Sequence, residues 1–290
     1  RALPADVDDA VGVARMVAQA QQASKLLEAF VGAAGTGPKA PETPDALLKL
    51  GWCYQRVASV MRDVTERNAQ LQAARVAYER VLSEFGNTPA APAAIMHRAQ
   101  CLAIAGDVNT AITELMRFRG DPLRNDPIAP LALARLGAML RAANRAAEAV
   151  NFLAEFRNQK EAELLKDASR RGLAATLQYE HALALLAAGK NAEAFVLFDS
   201  LAKNFAGLPE AVNAVWRAGQ CRRQEFDAQI NQARLNALKT DLKPEQLAAA
   251  DKAYQDALAG LRQAIGLLYA AAQELGRKDP GSSAHQQLLY

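Results

Sequence analysis

The chain has 290 residues, with 34 basic against 31 acidic side chains and a net charge of +3. These charges are spread along the sequence rather than gathered into runs, which gives no footing for a nucleic-acid ligand. No apolar stretch approaches the roughly 18 to 20 residues that cross a bilayer, so membrane insertion is not expected.

Hydrophobic residues make up 51%, largely through alanine, and aromatics only 6%, a balance that suits closely packed helices. The chain opens on Arg1-Ala2-Leu3-Pro4, with no initiator Met and no signal-peptide pattern. Asp6 to Phe30 is expected to be helical, with Ala23, Leu27 and Phe30 as its apolar stripe. That stripe belongs to the second helix of a hairpin whose first helix is expected upstream. Gly32 to Pro44 is rich in Gly and Pro and is expected to be a loop.

A two-helix unit then recurs. Ile95, Ala99 and Leu102 share one helical face, Gly106-Asp107 breaks the helix, and Ala111, Leu115 and Phe118 form the stripe of the next. The same spacing returns as Leu133, Gly137 and Leu140, then Asn144, then Ala149, Leu153 and Phe156. It returns again as Ala182 and Leu185, then Gly189-Lys190, then Ala194, Phe198 and Leu201. Ala74, Tyr78, Phe85, Pro89 and Cys101 also recur as Ala194, Phe198, Phe205, Pro209 and Cys221. Helical hairpins are thus expected over 45–86, 90–119, 127–157 and 171–206. Asp121 to Pro130 is a polar connection, and the charged stretch Arg157 to Arg171 permits a solvated helix and is expected to be a spacer.

The first hairpin carries Leu47, Leu50-Gly51 and Tyr54, followed by Ala74, Tyr78 and Val81. In these residues the chain resembles the tetratricopeptide repeat family. The resemblance implies an all-α solenoid, a right-handed superhelix forming one elongated domain over 1–290. The Phe that ends a second helix, with Pro four residues later, is similar to bacterial cell-envelope members and implies a bacterial periplasmic or envelope location. After Pro209 the pattern departs: Arg222 replaces the expected apolar residue. A helix running to about Leu242 is followed by one placing Tyr254, Leu258, Leu261, Ile265, Leu268, Ala272 and Leu275 at coiled-coil spacing. An elongated hairpin over 209–276 is expected, then a tail over 277–290.

Phosphate loops, paired CxxC, His-Glu-x-x-His and Gly-x-Ser-x-Gly motifs are all missing, so no catalytic residues and no cofactor are assigned. His97 and Cys101 stand four apart on one helix, but two residues do not make a metal site, and no metal is assigned. His181 is expected to be a packed interface histidine. Cys53, Cys101 and Cys221 hold equivalent places in separate hairpins, too far apart to bridge, and are expected to be structural thiols.

Stacked first helices of this family line a concave face, which implies columns three before, one after and four after each small residue. The partner-binding residues so implied are Trp52 and Gln55, Met96 and Gln100, Arg141, Tyr179 and Leu186, and Trp216, Gln220 and Arg223. The alternative for the aromatics is packing within the helices. The Lys and Asn set that clamps a C-terminal carboxylate in some members is missing from these columns. The expected function is a non-enzymatic scaffold holding a protein or peptide. Its rivals are an architectural segment that oligomerises through the terminal hairpin and the accessory domain of an enzyme.

Overall fold

The computed structural model describes residues 10–34, 40–239 and 242–278, the side chains of Ala34 and 274–278 excepted. Among these it has eleven α-helices, three short 3-10 turns and no strand. The chain divides into two compact units, Arg1–Ala143 and Asn144–Tyr290. The division falls at the Asn144 turn, inside the hairpin expected over 127–157.

The first unit consists of α1 (Ala10–Ala34), α2 (Thr43–Val60), α3 (Val64–Phe85), α4 (Ala90–Ile104), α5 (Val108–Met116) and α6 (Ala129–Ala142). Each helix packs on the next, and α2 also touches α4. Helix starts follow local chemistry. Asp63 Oδ1 accepts from the Glu66 N–H at 2.8 Å, and Asp107 Oδ1 from the Thr110 N–H at 3.2 Å. Each cap satisfies an amide that has no partner within its helix and stabilises it by about 1 kcal/mol. The stop after α4 is Gly106 at φ +98°, and the Asp107 N–H turns back to the Leu102 carbonyl at 2.9 Å. Asn144 and Gly189 take the same left-handed conformation at the equivalent breaks.

Core formation in this unit rests on close approach. A Cβ on Gly51 would lie 2.5 Å from Tyr78 Cε1, so only glycine lets α2 meet the fully buried Tyr78 ring of α3. Leu47, Leu71, Ala74, Val81, Ala94 and Cys101 belong to the same cluster. The stripe of α1 differs from expectation. Met16, Ala20, Ser24 and Val31 are buried, with Leu27 packed beside them, while Phe30 is 41% exposed. The helix thus ends its buried face on Val31, one position along.

The second unit consists of α7 (Ala146–Lys166), α8 (Arg171–Ala187), α9 (Asn191–Asn204), α10 (Pro209–Ala237) and α11 (Pro244–Lys278), each packed on the next. The charged stretch for which a helix was permitted continues α7 as far as Lys166. Its Leu164 is buried, and Arg157 reaches both Glu161 oxygens at 3.0 and 2.8 Å and His181 Nδ1 at 3.0 Å.

The terminal pair α10 and α11 is longer than the other hairpins, and its seam departs from the one expected at Ile265. Ala250, Ala257, Ala264 and Ala272 are buried, with Tyr254, Leu258, Leu261 and Leu268 partly so. Ile265 is 54% exposed, and Leu275 lies outside the described side chains. Glycines explain the narrowness. A Cβ on Gly219 would sit 2.1 Å from Leu268, and one on Gly260 would sit 2.2 Å from Phe226. The helices therefore approach closely, with Leu268 and Phe226 each seated on a glycine of the facing helix. Of the tail expected over 277–290, residues 277–278 instead continue α11, and 279–290 lie outside the described residues.

Candidate partner-binding surface

In the first unit the columns read from sequence are only partly open. Trp52 on α2 is 43% exposed, with the Arg56 guanidinium 4.7 Å from its ring centre. Met96 is a correction. At 1% exposure it is core, because α2 and α4 pack directly on each other and cover the face that the column takes to be open. Arg141 is partly exposed near the end of α6.

Gln55 and Gln100 are brought together. The Gln55 Nε2 amide donates to Gln100 Oε1 at 3.3 Å, and the Tyr78 hydroxyl donates to Gln55 Oε1 at 3.0 Å. His97 joins them, its Nδ1 3.2 Å from Gln100 Oε1 and its ring stacked on Tyr78 at 5.6 Å. Since the amide oxygen can only accept, Nδ1 carries the proton. Burial and the nearby Arg135 charge push the His97 pKa down to about 4. This leaves His97 a neutral hydrogen-bonding group at ordinary pH. Cys101 is fully buried and unpaired, its thiol pushed up to about 12 by burial and so a poor metal-binding thiolate. No cluster of three or more His, Cys, Asp or Glu residues stands together among the described residues.

In the second unit Tyr179 is partly buried, edge-on to the core ring of Phe198 at 5.7 Å. It is held by the fold as much as it is offered to a ligand. Trp216 lies partly exposed under the Arg217 guanidinium at 4.3 Å, and Arg217 Nη1 donates to Gln220 Oε1 at 2.9 Å. Leu186 is partly exposed and Arg223 exposed. His181, 8% exposed, is packed as expected. Arg157 donates to its Nδ1, so Nε2 holds the ring proton, and that N–H is buried without a partner. Burial and the Arg157 charge push its pKa down to about 4.

Sequence reading missed Tyr78 and Arg135 as the polar groups beside Gln55 and His97. A signal was present for Arg135, which stands two residues before Gly137 as His97 stands two before Ala99. Both are polar residues beside a small one, on a helix face otherwise apolar.

No protein-family model matches the chain, and no curated protein matches it. Among solved structures it is similar to tetratricopeptide-like repeats of a Podosopora anserina protein taken to be a kinesin light chain. The identity is 21% over 65% of this chain and 89% of that one, with TM-score 0.46. A tetratricopeptide repeat protein from Parabacteroides merdae is 13% identical over 93% of this chain and 100% of that one, with TM-score 0.41. Neither likeness is close enough to carry a conclusion about function. What the chain itself supplies is the repeated hairpin, with Gly51 seated on Tyr78, Ala99 and Ala182 fully buried, and left-handed breaks at Gly106, Asn144 and Gly189. By that packing it is an all-α protein of repeated helical hairpins, each packed on the next.

Proposed function

We propose that this chain is a non-enzymatic scaffold that holds a protein or peptide partner on the first-helix faces of its hairpins. The observation that carries this reading is Trp52, which leaves 43% of its surface in water on a helix otherwise well packed. Exposed aromatic and Arg pairs on a rigid support are the usual anchors of protein interfaces, and Trp216 with Arg217 repeats the arrangement in the second unit.

The test is to capture a partner from cells with the wild-type chain, identify it, and measure its affinity for Trp52→Ala and Trp216→Ala. Loss of about 2 kcal/mol or more, roughly thirtyfold, with unchanged helical content and melting supports an anchor. A large fall in melting with unchanged affinity in the folded fraction makes these aromatics packing residues and removes the scaffold surface. Architectural oligomerisation is the second reading, favoured by Leu238 at 76%, Tyr269 at 62% and Ile265 at 54% exposure on the terminal hairpin. Sedimentation of the wild type against Ile265→Glu/Tyr269→Glu separates it, since only this reading predicts an assembly that the acidic pair dissolves.

A further inference from the structure

Arg135 is a largely buried cation on α6. Its Nη1 reaches neither solvent nor a hydrogen-bond partner, and among the described residues no carboxylate stands beside it. The Tyr78 phenol is the group that favours its charge, while burial draws its pKa down to about 10. Native buried charges are ordinarily paired, because removing a charge from water is costly unless a counter-charge replaces the hydration.

The environment of Arg135 is otherwise orderly. Its charge acts on both Tyr78 and His97, which places it beside the network of Gln55, Tyr78, His97 and Gln100. Nε and Nη2 make no hydrogen bond among the described residues and are not sealed from solvent, so that edge of the guanidinium is reachable. The Gln100 amide nitrogen is likewise without an acceptor among the described residues. The first helices around it are basic: α2, α4 and α6 carry Lys49, Arg56, Arg98, Arg135 and Arg141 against the single acid Asp45. Glu79 and Glu114, from α3 and α5, pair with Arg98.

We infer that the counter-charge of Arg135 comes from outside the chain: this face takes an acidic segment of a protein partner, one Asp or Glu carboxylate of which pairs with the Nε–Nη2 edge. A carboxylate matches that fork with two parallel hydrogen bonds. The inference rests on the scaffold reading and names the chemistry of its partner.

The test uses the full chain with three probes at fixed ionic strength: an eight-residue peptide alternating Glu and Ser, its Gln counterpart, and inorganic phosphate. The Arg135 Nε–H resonance, assigned by its loss in Arg135→Lys, and the His97 ring titration are followed by NMR. The Glu peptide alone is expected to shift Arg135 saturably and to raise the His97 midpoint as the guanidinium is neutralised. Arg135→Met, checked for fold by circular dichroism, is expected to bind the Glu peptide at least fivefold more weakly; if it unfolds, Arg135→Lys serves, with a smaller loss. An equal shift by phosphate makes this a free-anion site and overturns the partner assignment. Equal peptide affinity in the folded variants, or no shift with any probe, overturns it outright. A native partner held equally by wild type and Arg135→Met overturns this inference and leaves the scaffold reading standing, whereas that reading falls on the Trp52 and Trp216 measurements.

Discussion

Replacing Gly51 with Ala places one methyl group where α2 meets Tyr78. The new Cβ would lie 2.5, 2.7 and 2.9 Å from three atoms of the ring, so the ring or the helix must retreat by about 1 Å to reach an ordinary carbon–carbon contact of about 3.5 Å. The ring has little room to move. It is fully buried, stacked on His97 and tied through its hydroxyl to Gln55. Overpacking of this kind costs about 1 to 3 kcal/mol, and the better helix propensity of Ala returns about 1 kcal/mol. A net loss of about 0 to 2 kcal/mol is expected. Gly266→Ala in α11 is the control, since nothing lies within 4 Å of its added Cβ, and a gain of about 0.5 to 1 kcal/mol is expected. Urea unfolding of both variants measures the difference, and amide exchange shows whether α2 and α3 loosen first. If Gly51→Ala is as stable as Gly266→Ala, the close approach of α2 to Tyr78 is wrong.

Two further outcomes are expected. His97 and His181 both have pKa values lowered to about 4, against about 6.5 unfolded. The unfolded chain therefore binds more protons between those values, and stability should fall as pH drops from about 6.5 towards 4. Ring-proton NMR in which either histidine titrates near 6.5 in the folded chain would contradict its burial. All three thiols should react in the denatured, unreduced chain. In the folded chain Cys101, fully buried with a pKa near 12, should be labelled more slowly than Cys53, which is 6% exposed; the reverse order refutes the core placement.

Much of the helical layout was legible because its punctuation is chemical. Gly106, Asn144 and Gly189 end helices in a conformation that other residues resist, and the small-residue positions mark where helices meet. Side-chain size misled the reading of faces. In α11 Ile265 was taken for the seam yet is 54% exposed, while Ala257 and Ala264, which the expected line passed over, are buried. Contact at short range favours residues with no volume to displace. Phe30 misled in the same way beside Val31. Of the candidate surface, Trp52 was legible as a large aromatic at a column position. Arg135 was not, because its significance lies in a missing counter-charge, and sequence does not display what is absent around a side chain in space.

The notches in the terminal hairpin have a mechanical consequence. Gly219 on α10 receives Leu268, and Gly260 on α11 receives Phe226, so each helix carries one notch and one peg. The two points are separated by about 10 to 12 Å at 1.5 Å per residue. Axial sliding in either direction would drive a peg out of its notch and against helix backbone, so the pair resists shear both ways. A pull on the connection between α10 and α11 is then carried along the hairpin as along a splint, and reaches the packing of α10 on α9 with little lost to slippage.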